Sequence, residues 1–229
     1  MKDLIALVTG ATRGLGYASA IALARNGAHV IALGRTAGGL EELDDEIKSA
    51  GGAATLTPLD LGDDPGLERL GAAIHQRWGR LDLMLHCAGE AAPLAPAEHV
   101  SAGDLDKAIA TNLRIAQRLI RVTHPLLKAA PAAQAVFFDD PKTAGAPFYG
   151  AYGAAKAGAR ALALSYAAEQ ARVGPRIWLA VPPPMPTAVR ARTHPGEDRA
   201  KLTPCAEVAK RLVAKIRAGD AMPGETVAL

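Results

Sequence analysis

The chain has 229 residues, 49% of them hydrophobic and 21% charged, and a formal net charge of +3. That is enough for one α/β domain with a full core, and a positive balance so small, with no run of basic residues, argues against a nucleic-acid partner. Nothing is long and apolar enough to span a membrane, and the apolar stretch after Met1-Lys2-Asp3 is too short for a signal-peptide core. Cys87 and Cys205 lack C-x-x-C spacing, so neither a disulfide framework nor a metal site is expected, and the cytoplasm is the expected compartment.

Short apolar runs alternate with helical patterns along the chain. Residues 4–9 read as a buried strand, followed by a glycine-rich turn and a helix over 14–26 that Gly27 stops. Residues 29–33 form a second strand, 40–50 an amphipathic helix, 54–59 a third strand and 67–78 a helix. A fourth strand covers 81–87. After a proline-broken loop, helix is expected over 102–130, with bends near Asn112 and Pro125. A fifth strand spans 135–138, a long alanine-rich helix 152–173 and a sixth strand 176–181. A helix over 204–217 and a terminal strand at 226–229 close the chain. The alternation implies βαβ units and a parallel sheet. Right-handed crossovers then make a three-layer, doubly wound Rossmann fold with seven parallel strands, a single domain over 1–229. In such sheets ligands bind at the carboxyl ends of the strands, where each of the following motifs falls.

The first strand ends in Thr9-Gly10-Ala11-Thr12-Arg13-Gly14-Leu15-Gly16. Glycines permit a tight turn and close approach of backbone to phosphate, and the following helix points free N–H groups at a pyrophosphate. The second strand ends Gly34-Arg35, where an NAD-selective site would carry an acid. Arg35 and Arg13 can instead pair with a 2′-phosphate, so NADP(H) is expected over NAD(H). Tyr152 and Lys156, four apart, share one face of their helix. An ammonium alongside would lower the phenol pKa toward the working range, and Lys156 could also hold the nicotinamide ribose.

These motifs in this order resemble the short-chain dehydrogenase/reductase family along nearly the whole chain. The resemblance implies that Tyr152 donates a proton to a carbonyl oxygen or removes one from an alcohol as hydride passes to or from the nicotinamide. It implies that Asn112 distorts its helix and holds a relay water connected to Lys156. It also implies that Asp60 bonds the adenine amine, that Leu61 contributes a backbone contact, and that Ala88-Gly89 runs beside the cofactor ribose. Family members pair the helices near 105–130 and 152–173 across a subunit interface, implying a homodimer or homotetramer. The segment 188–203 is the expected flap.

Two positions depart from the pattern. Where the family carries a catalytic Ser, Asp139 aligns without a gap and Asp140 with a one-residue shift; Thr143 is a more distant substitute. An ionised carboxylate cannot donate a hydrogen bond, although a protonated one could. After the sixth strand, Pro182 and Thr187 match, but the usual Gly is Pro183, and Pro184 and Pro186 further reduce the available N–H groups. His86-Cys87 also replaces the family's usual pair before Ala88, and both are expected to pack at the strand end. The expected function is NADP(H)-dependent interconversion of a carbonyl and an alcohol on a small molecule. The alternative is an NADP(H)-binding protein with little or no turnover, a sensor or assembly subunit.

Overall fold

A computed structural model describes Met1 and residues 3–229; Lys2, part of the N-terminal stretch read above, lies outside them. The strands are β1 (Ile5–Thr9), β2 (His29–Gly34), β3 (Ala53–Pro58), β4 (Leu83–His86), β5 (Gln134–Phe138), β6 (Arg176–Val181) and β7 (Thr226–Ala228). All pairs are parallel, in the order β3-β2-β1-β4-β5-β6-β7. Because side chains alternate across a strand, Ile5 and Leu7 of β1 enter one core layer while Ala6 and Val8 enter the other. Helices α1 (Gly14–Arg25) and α2 (Ala37–Ser49) cover one face, together with α8 (Cys205–Ala218). Helices α3 (Asp64–Trp78), α5 (Ile115–Lys128) and α6 (Gly150–Gln170) cover the other. The central strands are therefore largely apolar, with polar residues at their ends such as Thr9, His86 and Gln134, as a sheet buried on both faces requires.

The expected helix over 102–130 is divided. Helix α4 (Ala102–Ile109) passes into a π turn over Ala110–Arg114 and then into α5. The bend expected at Asn112 is this π turn, whereas Pro125 lies inside α5 without ending it. The segment 188–203 contains a short helix, α7 (Ala188–Thr193), and a 3-10 turn at Arg199–Lys201. Among the described residues no helix is long and apolar enough to cross a membrane.

The chain winds outward from β1 to β3 and then returns to β4 on the other side of β1. The strand order thus reverses between β1 and β4, where Thr9 pairs with His86. This leaves a crevice beyond those two carboxyl ends.

Candidate active site

Backbone approach dictates the crevice. Gly10 has φ +66°, and a Cβ there would lie 2.9 Å from Ala88 Cα. A Cβ on Gly16 would lie 2.3 Å from the Gly10 carbonyl oxygen. Any side chain at either position would push the loop off β4 or away from α1. Gly14 (φ +60°) lies beneath the Thr187 methyl, 3.5 Å from where its Cβ would be. Arg13 is the N-cap of α1 and makes no side-chain capping bond, so the first-turn N–H groups of a twelve-residue helix stay open to an anion. The donor set and the glycine geometry fit a dinucleotide pyrophosphate.

Thr12 packs on the end of β2: a Cβ on Gly34 would lie 2.4 Å from the Thr12 methyl carbon, and one on Gly39 would lie 3.0 Å from Thr12 Cβ. Gly34 closes β2 and Gly39 lies in the first turn of α2, and neither was assigned this packing role from the sequence. This contact seats the Arg13 loop against the Arg35 turn. Arg13 and Arg35 are both exposed, and neither side chain makes a hydrogen bond or ion pair with the described residues. Asp60 is exposed; its Oδ1 accepts from the Gly62 N–H at 2.7 Å, leaving Oδ2 available. The cap of α3 is Asp63, which accepts from Gly66 N. Leu61 is buried in the core.

At the end of β4, Thr9 Oγ1 accepts from Ala88 N at 3.2 Å and stands 3.0 Å from His86 Nδ1. Burial, with Lys156 adding repulsion, pushes His86 down to about 3. The ring is therefore neutral, and Thr9 Oγ1 links it to the Ala88 backbone at the strand end. Burial raises the Cys87 thiol. Both side chains pack at the strand end, and among the described residues no group of three His, Cys, Asp or Glu could hold a metal ion.

Tyr152 lies in the first turn of α6, packed in a small apolar cluster with Ala91, Ala92, Ala108 and Ala155. Burial raises its phenol, followed by the charges of Asp140 and Asp139. This reverses the expected lowering by Lys156, because the carboxylates and the enclosure act in the other direction and Lys156 Nζ donates to the Phe138 carbonyl. Burial lowers the Lys156 ammonium, while Asp139 and Asp140 oppose that shift. The Asn112 amide is committed within the protein. Its Nδ2 donates to the carbonyls of Glu90 (2.9 Å) and Ala108 (3.0 Å), and its Oδ1 accepts from Glu90 N (3.2 Å). Asn112 thereby fastens the loop after Gly89 to the π turn, and a relay water would have to bind backbone carbonyls freed by that turn.

The two aspartates separate. Asp139, expected beside the substrate oxygen, instead directs its carboxylate to Arg160, two helical turns beyond Tyr152 along α6. Its other oxygen accepts from the Asp140 N–H at 2.8 Å. Both oxygens of this carboxylate are thus engaged within the protein, by the Arg160 guanidinium and the Asp140 N–H. Asp140 is half-buried, and no hydrogen bond or ion pair to its carboxylate occurs among the described residues. Burial raises its pKa, opposed by the charges of Lys156, Arg190 and His194. Thr143 donates to the Asp140 carbonyl at 2.8 Å, so its hydroxyl is occupied. Its own carbonyl lies against Gly153, where a Cβ would come within 2.3 Å. The residue after Tyr152 must be small for this loop to lie against the helix.

The proline loop after β6 is pinned rather than open. Met185 is buried against Leu15, Val208 and Ala209, and Thr187 N donates back to the Met185 carbonyl at 2.7 Å. Of residues 182–186 only Met185 has an N–H, and it has no partner among the described residues. Thr187 Oγ1 caps α7 through Arg190 N. Arg192 of α7 reaches Glu90 Oε1 (3.1 Å) and the Ala91 carbonyl (3.0 Å), and Lys107 donates to the same carboxylate oxygen at 2.8 Å. Lys107 first, and then Arg192, hold Glu90 below the usual carboxylate range against its partial burial. The segment expected to be the flap is therefore tied, through Glu90, to the loop that Asn112 holds.

A family model described as short chain dehydrogenase matches residues 4–198. D-threitol dehydrogenase of Mycolicibacterium smegmatis is 38% identical over 109 residues, covering 48% of this chain and 42% of that protein. The match thus spans less than half the length of that curated relative. A short chain dehydrogenase from Pseudomonas syringae superposes with a TM-score of 0.92 at 29% identity, covering 98% of this chain and 94% of that one. One from Shigella flexneri, solved in complex with NADP, gives a TM-score of 0.90 at 28% identity, covering 100% and 97%.

Proposed function

The chain belongs to the short-chain dehydrogenase/reductase family, and from that premise we propose that it is an NADP(H)-dependent oxidoreductase that reduces a carbonyl on a small molecule to an alcohol. The observation that carries the reading is the placement of Tyr152 and Lys156 in the first two turns of α6, which packs on the π turn of Asn112, at the same carboxyl-end side of the parallel sheet as the glycine loop, whose Arg13 and Arg35 side chains have no partner among the described residues. The NADP complex of the similar Shigella flexneri chain supports the same cofactor here. When bound, the nicotinamide supplies or accepts the hydride. The first-turn N–H groups of α1 around Gly14, Leu15 and Gly16 hold the pyrophosphate, and Arg13 and Arg35 hold the 2′-phosphate. Asp60 faces the adenine amine, with Leu61, Ala88, Gly89, Pro182 and Thr187 lining the cofactor. Lys156 holds the nicotinamide ribose and the proton path toward Asn112. Tyr152 donates its proton to the substrate oxygen in reduction, and the same group would take the proton back in the reverse reaction. We also propose a single domain over 1–229 with 188–203 as its flap, and a homodimer or homotetramer.

Direct titration of NADPH and NADH tests the cofactor half. NADPH should bind more tightly, and Arg35→Asp should weaken NADPH by about 10-fold or more while changing NADH little. Equal binding of the two cofactors by the wild type contradicts the assignment. A second reading, cofactor binding with little turnover, is favoured by one observation: Asp139 is paired with Arg160 rather than poised to donate. Losing an oxyanion donor costs ~2.7–4 kcal/mol, a factor of about 10²–10³ in rate. We therefore expect a slow reductase.

A further inference from the structure

A second concave surface shares no lining residue with the cofactor crevice. It lies on the side of the sheet that carries α3. β3 is the edge strand, and its Thr55 and Thr57 pair in register with Ile31 and Leu33 of β2, so these four side chains share the face toward α3. Helix α3 is tied to α5 by the Arg118–Asp64 and Arg121–Glu68 ion pairs. Between α3 and β3 runs a groove of about 380 Å³, within the size range of small-molecule sites, about 300–1,000 Å³. Gly66, Arg69, Leu70, Ala73, Ile74 and Arg77 fall at i, i+3, i+4, i+7, i+8 and i+11, one stripe of α3 lining the groove. The middle of that stripe is apolar, and Ile31, Leu59 and Trp78 extend the apolar lining. The lining also holds two arginines and no Asp or Glu. Arg69 has a long contact with Asp63, at 3.5 Å, and its side chain is 72% exposed. Arg77 makes no hydrogen bond or ion pair among the described residues; its guanidinium lies 4.6 Å from the centroid of the Trp78 ring. His29 braces Trp78, with 5.2 Å between ring centroids, and its Nε2 stands 2.9 Å from Thr55 Oγ1. An aromatic face beneath a guanidinium fixes its position and leaves its N–H groups free to pair with an anion.

We propose that this groove is a second ligand site, binding a medium-chain aliphatic carboxylate whose head pairs with Arg77 and whose chain lies along Ile74, Leu70 and Leu59. Charge and apolar surface are contiguous here, so the ligand must carry both. A bare anion would leave the apolar floor in water, and a neutral chain would leave the guanidinium without a partner. From Arg77 to Leu70 the helix rises about 10 Å, the reach of octanoate.

Trp78 reports on the groove directly, because the other tryptophan, Trp178, is fully buried in the opposite core layer. Octanoate is titrated by tryptophan fluorescence and calorimetry, with octanol and octylamine as neutral and cationic controls. Neither NADPH nor turnover is needed, so the outcome is independent of the Tyr152 reading. Octanoate should perturb the emission saturably, with one molecule bound per chain. Octanol should bind about 10-fold or more weakly, and octylamine more weakly still. Arg77→Met keeps an apolar stem beside Trp78 and should weaken octanoate by about 10-fold while leaving octanol unchanged. Ala73→Phe fills the groove and should abolish binding of both. Positions 73 and 77 are exposed, so Tm should move by less than about 2 °C in either variant. Equal affinity for octanol and octanoate, binding that survives Ala73→Phe, an unchanged octanoate affinity in Arg77→Met, or no saturable change in the wild type overturns the proposal. So does an oligomer that Ala73→Phe dissociates in light scattering, which would assign the groove to a second copy of the chain.

Discussion

Replacing Asp139 by Ser separates the structural role of this carboxylate from the catalytic deficit it creates. The Asp139 side chain is 3% exposed and its partner Arg160 is 36% exposed. Removing one member of a fully buried pair costs about 3–5 kcal/mol. Here Arg160 can turn to water, so roughly 1–2 kcal/mol should remain, because an ion half in solvent recovers much of its hydration. The Asp140 N–H keeps an acceptor in the serine oxygen. For a chain of this size each kcal/mol moves Tm by about 2–4 °C, so Asp139→Ser should lower Tm by about 2–8 °C. A double-mutant cycle with Arg160→Met should show a coupling of about 1–2 kcal/mol. The same substitution removes a negative charge and supplies an O–H donor at the end of β5. NADPH-linked initial rates on a 1,2-diketone should rise by about 10-fold, short of the full worth of an optimally placed donor. Adding Tyr152→Phe should abolish that gain. Additive Tm changes in the cycle would refute the pair. A falling rate would refute the catalytic reasoning and would place Asp139 in substrate binding.

Other expectations follow from the same geometry. Burial raises the Asp140 carboxyl, so the stability it contributes is present below its unfolded pKa and is lost as pH rises through the higher folded value. Asp140→Asn should therefore be more stable than wild type at neutral pH, with the advantage vanishing near about pH 4 in thermal unfolding. Because Asp140 also helps raise Tyr152, the alkaline limb of kcat/KM should move to lower pH in Asp140→Asn; an unmoved limb contradicts that coupling. Gly16→Ala places a methyl 2.3 Å from the Gly10 carbonyl, and calorimetry should find NADPH affinity reduced by about 10-fold or more. Glu90→Gln removes the shared partner of Lys107 and Arg192, and KM should rise more than kcat falls if the tie orders the 188–203 segment over the substrate.

The alternation of apolar runs and amphipathic helices made the doubly wound sheet readable, because parallel strands buried on both faces leave few other uses for such runs. The glycine loop and the Tyr152–Lys156 pair were equally legible, since each depends on local spacing alone. What escaped depended on contacts across the fold. The Asp139–Arg160 pair joins a strand end to a helix face 21 residues on, and spacing alone gave no reason to bring them together. The direction of the Tyr152 shift was misjudged because only Lys156, one turn along the same helix, was weighed against it. Burial and two carboxylates from another element act the other way. The packing of Gly34 under Thr12 and the left-handed backbone of Phe148 are set by neighbouring loops, and at Phe148 the residue type argues against the conformation it adopts.

NADPH consumption with a reactive 1,2-diketone, measured for wild type and Tyr152→Phe after each is shown to bind NADPH equally, tests the central claim most directly. Slow turnover by wild type that falls by about 100-fold or more in Tyr152→Phe is the predicted result. Equal rates in the two proteins, or bound NADPH with no turnover by wild type, would contradict the assignment of this chain as a reductase acting through Tyr152.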